Sequence, residues 1–207
     1  MTKADAQTTA ARPASGELTR RRLLDAGASL IVERGWSAVT TRAVAERADV
    51  NQALVHYHFG SIGKLRREAV LARLMPEVQS LIEELLDERP LPESIYRVTA
   101  LVDRFDLQTE LGVLMAEALL QATREPEVAA AMGGIMGSWS EMLGPRLQLA
   151  QERGVVRSDI PAERLTPVIA SFLDGFLIQR MADPTLDANT TAETLIRLLS
   201  PPGEETP

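Results

Sequence analysis

The chain has 207 residues, 45% hydrophobic and 25% charged, an ordinary globular composition with room for one domain or for a small domain joined to a larger one. It has no cysteine, which removes disulfides, thiolate metal sites and a thiol nucleophile, and no apolar run near the roughly 18 residues of a membrane span. The net charge of −7 is unevenly placed: Met1 to Met75 carries 12 Lys and Arg against 7 Asp and Glu, a net of +5, and Pro76 to Pro207 carries −12.

An acidic chain is repelled by nucleic acid, so the basic first third is where a polyanion would bind. Residues 1–15 are non-periodic and rich in Ala, Thr and small polar groups, which predicts a flexible arm. Their start, Met-Thr-Lys-Ala-Asp-Ala-Gln, lacks the apolar core of a secretory signal, and the chain reads as soluble and cytoplasmic. Leu23, Leu24, Ala28, Ile31 and Val32 recur at helical spacing, with Gly35 placed to stop that helix. Thr40 or Thr41 can cap a short second helix that carries Val44 and Ala45 inward, and Asn51 can cap a third ending near Phe59-Gly60. Ser61 opens a fourth with Leu65, Ala69 and Leu74 on its apolar face, ended or kinked by Pro76. Further helices are predicted near 78–88, 92–105, 108–123, 126–153, 162–182 and 188–199, separated by Pro-rich or Gly-rich breaks, and residues 201–207 form a frayed tail. Strand-like alternation is nearly absent. The fold class is all-α.

The window Thr40 to Phe59, TTRAVAERADVNQALVHYHF, holds two short helical patterns separated by Ala48-Asp49-Val50. That is the spacing of a helix-turn-helix, whose second helix enters the DNA major groove. Ala45 is small where the helices cross, Val50 plugs the turn, and Leu54 or Val55 faces the first helix. Asp49 sits where a positive φ is often required, and Asp tolerates that conformation better than most residues with a side chain.

The chemistry of the window suits DNA. Asn51 and Gln52 can pair with adenine edges or accept from other bases, and Ala53 or Leu54 can touch a thymine methyl. His56, Tyr57 and His58 offer donors to phosphate oxygens, which set register rather than sequence. Thr40, Thr41 and Arg42 sit at a helix N-terminus, where backbone amides favour an anion. Arg20, Arg21 and Arg22 fall in the first turn of the first helix, and Lys64, Arg66 and Arg67 in that of the fourth. Cations there oppose the helix dipole unless a phosphate is bound, though a solvated face is the plainer alternative for the arginine run. His56 and His58 diverge on a helix and have no third ligand, so no metal site is read there, and Phe59 reads as a core aromatic.

LLDAGASLIVERGW, VTTRAVAERADV and ALVHYHFGS together resemble the N-terminal DNA-binding domain of the tetracycline-repressor (TetR/AcrR) family, over about 50 residues. GVVRSDIP followed by a helix containing DGF is a softer similarity. Two positions depart from the family pattern: a common turn glycine is Asp49 here, and the lysine that often opens the fourth helix is Ile62, with Lys64 two residues later. The resemblance implies a helix-turn-helix domain over 16–62 and a helical ligand-binding and dimerisation domain over 63–200. It implies a homodimer on a pseudo-palindromic double-stranded DNA operator, since two recognition helices about 34 Å apart read such a site.

Helix 162–182 is apolar on more than one side and must be buried on two faces. Leu165, Ile169, Leu173 and Leu177, with Leu195 and Leu199, are taken as the dimer face, in the family's bundle of the last two major helices. The resemblance also implies a small-molecule cavity, assigned to Phe105, Leu111, Met115, Met132, Met136, Trp139, Phe172 and Phe176. Few charges fall among them, which favours an apolar or aromatic effector. No cofactor is implied. An enzyme is disfavoured, because both histidines lie in the recognition helix and no phosphate loop or nucleophile-base motif occurs. A helical protein-protein adaptor and an activator built on the same DNA-binding domain remain as alternatives.

Overall fold

Leu23, Leu24, Ala28 and Ile31 share one face of helix α1 (Ser15–Arg34) and are buried. The helix stops where Gly35 takes φ 81°, its N–H donating to the Ile31 carbonyl at 2.8 Å. The computed structural model describes residues 15–87 and 89–202, apart from the side chains of Ser15, Leu86, Trp139 and Ser140. The predicted arm over 1–15 and tail over 201–207 therefore lie outside the described residues, but for position 15 and positions 201–202. The chain divides into two compact units at Ala69/Val70, within a long helix. No strand occurs among the described residues.

In the first unit a short 3-10 turn, Trp36–Ala38, leads into α2 (Thr41–Ala48). Thr40 Oγ1 accepts from the Ala43 amide at 3.2 Å and caps α2. Asp49 ends it in the left-handed region at φ 52°, with the Val50 amide returning to the Ala45 carbonyl at 3.0 Å. Val50 is half-buried behind this turn. Asn51 Oδ1 accepts from the Ala53 amide at 2.8 Å at the start of α3 (Ala53–Phe59). Ser61 Oγ accepts from the Lys64 amide at 3.2 Å, opening α4 (Ile62–Leu86). Ala45, Ala48, Val55, Phe59 and Leu65 are buried in one core, with α1 packed on α2 and α2 on α3.

The sequence places a break at Pro76, but α4 runs through it to Leu86 and there is no separate helix from 78. Proline costs a helix interior about 3 kcal/mol. Leu74, Val78, Leu81, Ile82 and Leu85 lie buried at helical spacing across it, and packing several such side chains at about 1.5–3 kcal/mol each outweighs that cost.

The second unit contains the remainder of α4, then α5 (Leu91–Leu101), a 3-10 turn (Val102–Phe105), α6 (Glu110–Ala122), α7 (Pro126–Glu152), α8 (Ala162–Ala182) and α9 (Ala188–Leu199). The helix predicted over 92–105 thus ends as α-helix at Leu101. The 3-10 turn tightens the chain and inserts Phe105, fully buried. Thr109 Oγ1 donates to the Arg104 and Asp106 carbonyls at 2.7 Å each and accepts from the Gly112 amide at 3.1 Å, so one side chain joins the turn to α6. A Cβ at Gly112 would lie 2.0 Å from the Asp106 carbonyl oxygen, so only glycine allows this approach. Helix α7 packs on α6 and α8, and α5 on α9. Arg146 on α7 donates to the carbonyls of Asp87 and Arg89 and to Ser94 Oγ, holding the α4–α5 connection. Gln151 Nε2 donates to the Arg157 and Ile160 carbonyls at 2.7 Å each, holding the α7–α8 connection.

Candidate nucleic-acid interface and ligand cavity

Helix α3 is seven residues long and anchored on one side only. Val55 and Phe59, one turn apart, are buried, whereas Gln52, Ala53, His56 and Tyr57 form the opposite, exposed face, flanked by half-buried Leu54 and His58. Tyr57 is 81% exposed, a large aromatic with no place in the core, while Phe59 at 2% is core. His56 Nδ1 lies 3.3 Å from the Gly60 carbonyl oxygen. A carbonyl only accepts, so Nδ1 carries the hydrogen and the Nε2 of the neutral ring is an acceptor. With Nδ1 donating to Gly60, Nε2 is left as an acceptor that suits a base amino group.

Around this face the remaining expected DNA-contact residues are accessible. Thr40, Arg42, Asn51 and Lys64 are exposed and Thr41 is half-buried. Arg42 Nε donates to Glu46 at 2.7 Å, which raises the arginine pKa, so an arriving phosphate competes with an exposed and weak partner. Lys64 in the first turn of α4 stands 3.7 Å from Glu68.

The arginine triplet behaves otherwise than expected. Because α1 begins at Ser15, Arg20–Arg22 lie past its first turn and do not oppose its dipole there. Arg20 pairs with Glu68 and stands 5.3 Å from the centre of the Phe59 ring. Arg22 donates to the Ala48 carbonyl at the end of α2. Arg66 Nε and Nη2 donate to the Val39 carbonyl at 2.9 and 2.7 Å. These three guanidiniums assemble the first unit by satisfying backbone and carboxylate acceptors. Arg21 is exposed, with no ion pair among the described residues.

In the second unit a cavity of about 60 Å³ opens among α4, the Phe105 turn, α6, α7 and α8. Phe105, Met115, Met132 and Met136 line it, with Val78, Leu81 and Asp174 among the further wall residues. Leu111, Phe172 and Phe176, assigned to the cavity from sequence, lie off its wall; the two phenylalanine rings stack on each other along α8 at 6.3 Å and 3°. The Trp139 side chain lies outside the described residues. Sequence reasoning missed Asp174, although a single acid inside Phe172-Leu-Asp-Gly-Phe-Leu-Ile178 was a visible signal. Its carboxyl is pushed above the usual carboxylate range by burial. An open groove of about 540 Å³ crosses Arg89, Met142 and Arg146, where Arg146 and Arg89 are already engaged with the chain's own acceptors.

The dimer face needs correction. Leu165, Ile169, Leu173, Leu195 and Leu199 are buried within their own unit and have almost no surface left for a partner, while Leu177 lines the cavity. The helical spacing found the apolar stripe that faces inward. The outward stripe carries Val168 at 62%, Phe172, Gly175 and Ile178 at 49% on α8, with Leu198 at 62% on α9.

Among the described residues no group of three His, Asp or Glu is placed to hold a metal, and no helix is long and apolar enough to cross a membrane. Residues 23–69 match the family of bacterial regulatory proteins, tetR family, and residues 97–200 the BetI-type transcriptional repressor C-terminal family. The chain is 27% identical to the HTH-type transcriptional regulator BetI of Rhizobium meliloti, over 78% of this chain and 77% of that one. It is 24% identical to the HTH-type transcriptional repressor AcnR of Corynebacterium glutamicum, over 79% and 82%. A transcriptional-regulator structure from Saccharomonospora viridis in complex with choline superimposes with a TM-score of 0.69 at 20% identity, covering 88% of this chain and 95% of that one.

Proposed function

Since the chain belongs to the tetR family of bacterial transcriptional regulators, we propose that it is a homodimeric repressor that leaves a pseudo-palindromic operator when a small molecule enters the α4–α8 cavity. The observation that carries this reading is the one-sided anchoring of α3, which leaves Gln52, Ala53, His56 and Tyr57 exposed together on a short helix. In this reading residues 16–62 bind DNA and 63–200 bind the effector and the second copy. Gln52 and Asn51 read base edges, Ala53 with Leu54 meets a thymine methyl, and Tyr57 with His58 contacts phosphate. His56 reads an amino group. Thr40, Thr41 and Arg42 at the start of α2, and Lys64 at the start of α4, hold phosphates that fix the docking angle.

Exposed Val168 and Ile178 with half-buried Phe172 between them on α8, and exposed Leu198 on α9, support self-association through these helices, because isolated chains seldom leave large apolar groups at helical spacing to water. Repression rather than activation is supported by the repressor-type C-terminal family that spans residues 97–200. Selection of binding sites from random duplex DNA by the purified protein tests the reading. The expected product is an inverted repeat with half-sites about one helical turn, 10–10.5 base pairs, apart or a multiple of it. Enrichment of no sequence, or of a site without symmetry, would overturn it.

A further inference from the structure

The groove that crosses Arg89, Met142 and Arg146 shares no wall residue with the α4–α8 cavity. Its volume of about 540 Å³ falls in the roughly 300–1,000 Å³ range of small-molecule sites. One wall is a stripe of α7 and its C-terminal cap, with Met142, Arg146, Leu149 and Arg153 three or four residues apart. The other is the connection from α4 to α5, through Asp87, Arg89 and Leu91, and Val155 adds to the lining. Arg146 ties the two walls together by donating to the Asp87 and Arg89 carbonyls and to Ser94 Oγ. The groove is therefore formed before any ligand arrives, which lowers the entropic cost of binding.

Its charge is out of keeping with its surroundings. Residues 76–207 carry a net −12, yet three arginines and one aspartate line this groove, a net of +2. Arg89 is matched by Glu84, Asp87 and Glu93. Arg146 meets neutral oxygens, its Nε is buried without a partner, and burial pulls its pKa below the ordinary guanidinium value, opposed by the charge of Asp87. Arg153 is exposed, with no ion pair or side-chain hydrogen bond among the described residues. Beside these two uncompensated cations, Leu149 and Val155 stand exposed to water.

The free donors decide which anion. Arg153 offers one planar fork, which a singly charged carboxylate fills with two parallel hydrogen bonds. A phosphate has more acceptor oxygens than that fork serves, and the remaining arginine donors are held by the chain itself. We propose that the groove is a second small-molecule site, for an amphipathic carboxylate whose head pairs with Arg153 and whose apolar body lies on Leu91, Leu149 and Val155. This goes beyond the effector reading of the α4–α8 cavity and does not depend on it.

The test is calorimetric titration of the full-length protein with sodium octanoate, beside sodium acetate as the head alone and octan-1-ol as the neutral chain. Saturable binding of octanoate, at least about tenfold tighter than either control, is expected in the wild type. Arg153→Gln should weaken it about tenfold or more, and Leu149→Asp, which sets a negative charge on the apolar wall, should abolish it. Both side chains are exposed, so both variants should melt as the wild type does. Octanoate binding no tighter than acetate or octan-1-ol, or no saturable binding, overturns the proposal. Wild-type affinity in Arg153→Gln also overturns it, and leaves that guanidinium as a charge suited to the end of α7 alone.

Discussion

Tyr57→Ala separates interface from core more sharply than other changes on α3. Tyr57 is 81% exposed, so truncation removes little packing, and the change in stability should stay within about 0.5 kcal/mol. Two residues on, Phe59 is 2% exposed, and Phe59→Ala should cost about 3–5 kcal/mol of folding free energy. On DNA the order reverses. A hydroxyl donating to a phosphate is a hydrogen bond to a charged group that remains near water, so about 1 kcal/mol per copy is a fair lower figure. A symmetric dimer carries this hydrogen bond twice, which gives about 2 kcal/mol and roughly thirtyfold weaker operator binding. Because tyrosine is uncharged, the slope of log affinity against log salt should not change, while Lys64→Ala should reduce it by about one for each phosphate no longer neutralised. Tyr57→Phe should reproduce most of the Tyr57→Ala loss if the hydroxyl carries it. Gln52→Ala should also weaken binding, with preference relaxed at one base pair. The measurements are thermal melting and mobility-shift titration at two salt concentrations, on the operator and on unrelated duplex. Wild-type operator affinity in both Tyr57→Ala and Gln52→Ala, with melting unchanged, would refute the assignment of this face to DNA.

Gly112→Ala puts a Cβ 2.0 Å from a backbone oxygen, which no rotamer relieves; a loss of about 3 kcal/mol and a melting temperature about 6–12 °C lower are expected, and an unchanged melt would show that the Thr109 junction is not rigid. At Asp49, φ 52°, glycine should be neutral to stabilising, whereas Asp49→Val should cost at least about 1–2 kcal/mol; chemical denaturation of both variants decides, and equal stabilities contradict the strained turn. Burial raises the Asp174 pKa above its ordinary value of 3.8. An acid with a raised folded pKa holds its proton more tightly in the native state, so stability falls as pH rises from the unfolded value through the folded one and stays lower above it. The melting temperature of Asp174→Asn should therefore gain on the wild type as pH rises above 3.8, and parallel profiles would show that this carboxylate is not destabilised by its surroundings.

Much of the first unit was legible because its signals are local. Thr40, Asn51 and Ser61 each satisfy an amide two or three residues on, and Asp49 bears its own conformational cost, so caps and turns follow from neighbours in the chain. The guanidiniums were less legible. Arg20, Arg22 and Arg66 read as a basic face, yet each spends its charge on an acceptor 26 to 48 residues away, and chain proximity carries no record of such a partner. The same limit applies to Pro76, where a local rule predicted a break and buried leucines on both sides overrode it.

Periodicity determined from residue order alone that helix 162–182 is apolar on two sides, that Leu54 or Val55 of the third helix turns inward, and that the fold is all-α; that it is Val55 was decided by packing. Which apolar stripe faces its own core and which faces out was decided only by the packing of α8 on α7 and α9 on α5, since a pattern repeating every 3.6 residues specifies a relative angle and not a direction. The exposed row through Val168 and Ile178, and the lone carboxylate of Asp174 set among methionines and Phe105, both follow from that choice. Helix spacing follows from bonds along the chain; burial belongs to whatever the rest of the molecule places on the other side.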